Sequence, residues 1–255
     1  MTTNPFDLTD RAAIVTGGTR GLGRSIAKGL VEAGARVAIT GRKAEACEQA
    51  AKELRDETGG EVVPVACHMG DWDALPALVE MVTGAFGGLD VLVNNAGINP
   101  ATLGITDVTE AYFDKLYAVN VKGPMRLAAL AAPEMAKRGG GSIVNVITVG
   151  AYSGGPGVAT YASAKAALLT LTKCMAQEWA EQKIRVNALA PGPFMTDMMK
   201  GTAEIPGFIE GATNATLLRR IAEPDEIIGA ALFLASDASS YVTGEDVVVA
   251  GGYRK

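Results

Sequence analysis

The sequence predicts an α/β fold, a doubly wound parallel sheet of seven strands with helices on both faces, and three observations predict it. Short runs rich in β-branched residues alternate with longer amphipathic or Ala-rich segments along all 255 residues. The short runs are apolar along their length, and the helices between them let the chain travel back over a sheet face before each new strand begins, which implies parallel pairing. No internal repeat, low-complexity tract or Pro/Ser-rich linker divides the chain, so residues 1–255 are expected to form a single domain.

Taken in order, residues 11–16, with Ile14 and Val15 at their centre, read as the first strand, and residues 22–33 as the amphipathic helix that follows a glycine-rich turn. Strand 36–40 leads to helix 44–58, and strand 61–66 to helix 73–86. Strand 89–93 closes in Asn94-Asn95-Ala96-Gly97 and is followed by one long helix, 110–137. Strand 142–147 precedes helix 160–181, and strand 184–189 stops just before Pro191 and Gly192. Residues 191–221, rich in Gly, Met and Thr, are irregular. They begin beyond the carboxyl end of the sixth strand, where open parallel sheets bind ligands, and are expected to act as a mobile substrate cover. Helix 224–235 and strand 246–249 complete the alternation.

Composition narrows the function classes. With 48% hydrophobic and 20% charged residues the chain can build a large core, and its apolar stretches stop short of the roughly 20 residues that span a bilayer. The first ten residues carry neither the basic end nor the apolar run of a secretory signal, so a cytoplasmic protein is expected. Three scattered cysteines (Cys47, Cys67, Cys174) and a single histidine supply no disulfide framework and no metal site. A net charge of −5 argues against nucleic acid or an anionic membrane as the partner. A small-molecule substrate is expected instead.

The first strand runs directly into Thr16-Gly17-Gly18-Thr19-Arg20-Gly21-Leu22-Gly23 and then a helix. Glycines let the backbone turn tightly and approach a pyrophosphate, while the free N–H groups and dipole of the helix start favour its charge. A dinucleotide is therefore expected at Gly17, Thr19, Arg20, Gly21, Leu22 and Gly23. The second strand ends in Thr40-Gly41-Arg42-Lys43, without the carboxylate that usually holds a ribose 2′-hydroxyl. Arg42, with Arg20, could pair with a 2′-phosphate through a guanidinium fork, so NADP is expected in preference to NAD.

Tyr161 and Lys165 are four residues apart, which stacks them on one helix face. A free phenol has a pKa of about 10, so drawing it near neutrality takes roughly 4 kcal/mol of phenolate stabilisation, which a nearby ammonium and an oxidised nicotinamide could supply. The glycine turn, the Asn-Asn-Ala-Gly loop, the Tyr/Lys helix and Pro191-Gly192 fall in one order. Together they resemble the short-chain dehydrogenase/reductase family over nearly the full length, with its Rossmann-type fold and its hydride transfer between a nicotinamide cofactor and a carbonyl or alcohol.

The resemblance implies further roles. Asn94, Ala96 and Gly97 would lie beside the nucleotide, and Asn120 matches an asparagine that interrupts the preceding helix and holds a water in a proton relay to the lysine. Thr148 stands thirteen residues before Tyr161, where the family has its catalytic serine; its hydroxyl can serve the same carbonyl, with Ser153 a more distant rival. His68 replaces the aspartate that many relatives offer to adenine, with Met69 as an apolar neighbour. Pro191, Gly192 and Thr196 match the nicotinamide end, with Phe194 close by. Relatives associate through their long Ala-rich helices, so a homotetramer is expected. Sugar-acid dehydrogenases such as gluconate 5-dehydrogenase and ketoacyl-carrier-protein reductases are both similar. Met195, Met198, Met199 and Phe208 suggest an adaptable, partly apolar cover. Because Thr148 and His68 leave the family pattern, a catalytically silent NADP-binding protein is the alternative from another class, and a structural or interaction protein built on the Ala-rich helices is a third.

Overall fold

The computed structural model of the chain describes residues 4–100, 103–197, 199 and 206–253. Seven parallel strands, β1 (Ala12–Val15), β2 (Arg36–Gly41), β3 (Val62–Ala66), β4 (Val91–Asn94), β5 (Gly141–Val146), β6 (Ile184–Pro191) and β7 (Asp246–Val249), make one sheet in the order β3-β2-β1-β4-β5-β6-β7. From β1 the chain winds outward through β2 and β3, then returns to lay β4 on the other side of β1, pairing Val15 with Val93. The loops leaving β1 and β4 therefore diverge, and the crevice between them is where such a sheet binds ligand.

The central strands are buried on both faces, and alternation along each one splits the core in two. Ala13, Val15, Val93 and Val144 face one layer, which is closed by α1 (Gly21–Glu32), α2 (Ala44–Thr58) and a late helix, Ile228–Ala235. Ala12, Ile14, Leu92 and Ile143 face the other, covered by α3 (Leu75–Phe86), α5 (Gly123–Lys137) and α7 (Ala159–Glu178). At the amino ends of the strands the buried carboxylate of Asp90, 2% exposed, accepts from Ala12 N at 2.8 Å and from Arg138 Nε and Nη2, both at 3.2 Å.

The helix expected over 110–137 is interrupted. It runs as α4 (Glu110–Tyr117), a π-helical turn (Ala118–Lys122) and then α5. Gly123 packs so tightly on the loop after β3 that a Cβ there would sit 2.0 Å from Met69 O, and Asn120 is drawn out of register to hydrogen-bond a neighbouring loop. Apolar periodicity cannot reveal one inserted residue in such a helix. A four-residue helix, α6 (Gly150–Ser153), follows β5, and α8 (Phe208–Asn214) lies in the segment expected to be irregular; the late helix Ile228–Ala235 is α9. No helix among the described residues is long and apolar enough to cross a membrane.

Candidate active site

The glycine turn leaves β1 in a conformation that side chains resist. Gly17 and Gly21 have φ of +65° and +54°, and a Cβ on Gly23 would lie 2.3 Å from Gly17 O and 2.4 Å from Asn95 Nδ2. Helix α1 begins with Arg20 at its cap making no side-chain capping bond and with no acidic residue in its first turn. Its free N–H groups and bare backbone cradle fit a dinucleotide pyrophosphate. Thr19 packs over Gly41, where a Cβ would meet its methyl at 2.9 Å, and Leu22 packs on the core of the α1 face.

This turn is laced to the loop after β4. Thr16, 1% exposed, accepts at Oγ1 from Asn95 N (3.0 Å) and Ala96 N (2.9 Å), while Asn95 Nδ2 donates to Thr16 O (2.8 Å) and Gly17 O (3.3 Å). Neither Thr16 nor Asn95 stands out as a contact in the sequence, because the partners are some 80 positions apart; the only signal is the repeated Asn at 94 and 95. Asn94, expected beside the nucleotide, points its amide into the sheet instead. Its Nδ2 donates to Asn145 Oδ1 (2.9 Å) and Pro124 O (3.2 Å), so its side chain links β4 to β5 and α5.

Arg20 and Arg42, expected to meet a 2′-phosphate, are exposed beyond the ends of β1 and β2. Arg20 lies 3.7 Å from Asp197, whereas Arg42 makes no ion pair among the described residues. His68 is exposed, its Nδ1 accepting from Gly70 N at 3.1 Å. Met69, expected beside it as an apolar neighbour of the adenine, is only 5% exposed and packs in the core.

Tyr161, Lys165, Asn120 and Thr148 all lie beyond the carboxyl ends of β4 and β5, and the first three are linked by contact. Lys165, 2% exposed, donates from Nζ to Val146 O at 2.8 Å, and its Nζ lies 5.9 Å from the centre of the Tyr161 ring one helical turn earlier. Asn120 is fully buried: its Nδ2 donates to Ile98 O (2.8 Å) and its Oδ1 accepts from Ile98 N (2.9 Å). Gly97 leaves the gap through which Asn120 and Lys165 approach, since a Cβ there would lie 3.0 Å from Asn120 Oδ1 and 3.3 Å from Lys165 Nζ. Thr148 follows β5, its segment pinned to the end of β6 by Ile147 N to Leu189 O (2.8 Å) and Val149 N to Pro191 O (3.1 Å), and its Oγ1 accepts from Gly150 N at 3.3 Å. Ser153 is exposed at the end of α6.

Burial shifts both titrating groups toward their neutral forms. It pushes the Tyr161 phenol up to about 12 and pulls the Lys165 amine down to about 8. The lowering of the phenol expected from a nearby ammonium is therefore not present in the ligand-free chain: desolvation governs.

Beyond β6, Pro191 ends the strand opposite Val249, and Gly192 lies against Ala250, where a Cβ would come within 2.6 Å of that residue's own. Thr196 reaches over the glycine turn, its methyl 3.6 Å from where a Gly21 Cβ would be, and its Oγ1 accepts from Met199 N at 3.4 Å. Phe194, expected near the nicotinamide, is instead 4% exposed in the core. It forms a single parallel bridge with Ala222, flanked by Met195 N to Ala222 O (2.8 Å) and Ala222 N to Pro193 O (3.0 Å). Leu217 N and Leu218 N donate to Gly252 O (3.3 Å) and Gly251 O (3.0 Å). Met195, Met199 and Phe208 are half-buried; Met198 lies outside the described residues, as do residues 200–205 of the expected cover.

A cavity of about 290 Å³ lined by Arg11, Asp90, Arg138 and Arg185 opens at the amino ends of the strands. Ligands of open parallel sheets bind at the opposite edge, beside Tyr161, where the glycine cradle also lies.

Known proteins resemble this chain in sequence and fold. A family model described as enoyl-(acyl carrier protein) reductase matches residues 17–254. Dehydrogenase/reductase SDR family member 4 of Bos taurus is 41% identical over 249 residues, 98% of this chain and 88% of that protein. A gluconate 5-dehydrogenase of Burkholderia cenocepacia, solved in complex with NADP and tartrate, superposes with a TM-score of 0.93 at 35% identity, covering 97% of this chain and 96% of that one. A 3-oxoacyl-(acyl-carrier-protein) reductase of Agrobacterium tumefaciens with NADP bound gives 0.91 at 32% identity over 98% and 96%. With the glycine cradle and the Tyr161/Lys165 helix at one edge of this sheet, the chain is an oxidoreductase that belongs to the short-chain dehydrogenase/reductase family.

Proposed function

We propose that the protein interconverts a ketone and an alcohol with NADP(H), acting on a keto sugar acid or other small hydroxylated or plain ketone. The observation that carries this reading is the approach of Lys165 and Asn120 at Gly97, with the Tyr161 ring 5.9 Å from the Lys165 amine, beside a glycine cradle that fits a dinucleotide. The bound nicotinamide supplies the hydride in reduction and accepts it in oxidation. Gly17, Thr19, Gly21, Leu22 and Gly23 would hold its pyrophosphate, Ala96 and Gly97 the adjoining channel, His68 the adenine rim, and Pro191, Gly192 and Thr196 the nicotinamide end. Arg20 and Arg42, with no carboxylate at the end of β2, favour a 2′-phosphate. NADP is also what the two solved relatives described above carry.

In reduction Tyr161 donates its proton to the carbonyl oxygen as negative charge grows there, and Thr148 donates a hydrogen bond to the same oxygen. Lys165 holds the cofactor ribose and, in its charged form, favours the phenolate that Tyr161 leaves behind. Asn120, fixed on the Ile98 backbone, positions the water that returns a proton toward Lys165. Oxidation uses the same groups in reverse. A homotetramer formed through the Ala-rich helices α4, α5 and α7 is part of this reading; Phe113, 41% exposed and stacked on Tyr117 at 4.3 Å, lies on that surface. A ketoacyl thioester reductase is the second reading, favoured by the similarity to the Agrobacterium reductase, although a net charge of −5 disfavours docking of an acidic carrier.

The test is binding of NADPH and NADH to the purified protein, then turnover of keto sugar acids, acetoacetyl thioesters and small ketones by the wild type and Tyr161→Phe. NADPH is expected to bind more tightly, and the variant to lose about 10²–10⁴-fold in kcat. Full activity in Tyr161→Phe would refute the proton donor, and cofactor binding without turnover would leave a silent binding protein.

A further inference from the structure

On the substrate side of Tyr161 the chain encloses a narrow cleft that the residues above do not explain. Asn99, Leu103, Tyr112, Val158 and Thr160 line it with Tyr161 so closely that it has no room for a water, and a substrate group would have to part them. Two sets of backbone contacts frame it. Leu103 N donates to Gly157 O at 3.1 Å, joining the loop after β4 to the loop before α7. The Asn120 amide grips both backbone groups of Ile98, the residue that precedes Asn99. Within this frame the side-chain oxygen of Asn99 is buried and has no hydrogen-bond partner among the described residues. Such an acceptor lowers stability unless a group from outside the chain brings the missing donor.

Resting on the oxidoreductase reading, we propose that Asn99 is a specificity-determining residue that accepts a hydrogen bond from a substrate hydroxyl beside the reacting carbonyl. The substrate class is then the hydroxylated ketones, such as keto polyols and keto sugar acids. An amide oxygen can only accept. A 3-oxoacyl thioester offers a methylene and a second carbonyl next to its reacting centre, so no donor would reach Asn99, and a plain ketone would leave the oxygen unpaired.

The experiment uses the full chain with whichever of NADPH and NADH it accepts and compares kcat/KM for 1-hydroxy-2-butanone and 2-butanone in the wild type, Asn99→Leu and Asn99→Asp. The intrinsic reactivity of the two ketones is common to all three proteins, so a change in their ratio reports the contact. The wild-type ratio is expected to fall by about tenfold or more in Asn99→Leu and to persist in Asn99→Asp, which keeps an acceptor oxygen. A ratio unchanged in Asn99→Leu, lost in Asn99→Asp, or near unity in the wild type overturns the assignment. If Asn99→Leu does not fold, Asn99→Ala, which also removes the acceptor, takes its place and is read in the same way. Turnover without discrimination overturns the role of Asn99 alone, whereas turnover of neither these ketones nor the wider panel overturns the oxidoreductase reading with it.

Discussion

Lys165 is an amine held out of water by its own fold, and that carries a pH signature. Its native pKa of about 8 lies below the unfolded value of 10.5. Between those values the unfolded chain binds the proton and the native chain does not, so stability rises with pH across that window, by about 3 kcal/mol in all. Tyr161 acts oppositely but later, since its native value of about 12 exceeds 10 and it lowers stability only as pH climbs past 10. In urea melts of the cofactor-free protein, Lys165→Met should be the more stable at pH 7 and its advantage should shrink steadily toward pH 10. A pH-independent difference would mean that the amine is solvated. Thr148 makes a separate prediction: Thr148→Ala is expected to cost about 10²–10³-fold in kcat, while Thr148→Ser stays within a few fold of wild type, because only the hydroxyl takes part. Steady-state kinetics on any accepted ketone checks both variants.

At the scale of elements, the glycine turn and the loop after β4 behave as one unit. In Gly23→Ala the new methyl would press on Gly17 O and the Asn95 amide, both needed to shape the turn. Overpacking of this kind costs about 1–3 kcal/mol, and cofactor affinity is expected to fall at least about tenfold, as read by NADPH fluorescence titration beside a thermal melt. The strands, the turn and the Tyr161/Lys165 spacing could be read in the sequence because each is a local pattern: an apolar run, a glycine cluster, two residues one helical turn apart. The clasp between Thr16 and Asn95 could not, since nothing local pairs them. The π-helical turn at Asn120 escaped for a related reason. One extra residue leaves the apolar stripe of the 110–137 segment almost intact while re-aiming a single side chain. Met69, Phe194 and Asn94 show the limit of carrying roles over by motif, because a position beside a ligand does not say which way its side chain turns, and these three turn into the core or the sheet.

For the whole molecule, the two edges of the sheet divide the work. The proposed chemistry collects at the carboxyl edge, and at the other edge Asp90 ties β1, β4 and the end of α5 together through Ala12 N and Arg138. Asp90→Ala would leave a buried N–H and a guanidinium without their acceptor, and is expected to lower unfolding stability by about 3 kcal/mol in denaturant melts, with kcat of the folded enzyme unchanged. A fall in kcat without a fall in stability would contradict that division.

The neck at Phe194 and Ala222 has a consequence for how such a protein can diverge. Among the described residues, the chain between Met195 and Ala222 leaves and rejoins the sheet beside one bridge, with two backbone bonds to the C-terminal turn and the contacts of Thr196 and Asp197 with the glycine turn as further tethers. None of these backbone anchors involves Tyr161, Lys165 or Asn120, and only Thr196 and Asp197 reach back to the glycine turn. The stretch beyond those two is thus an exchangeable cassette: its residues can drift, lengthen or be transplanted from a relative, re-tailoring the range of substrates while the machinery beneath is inherited intact.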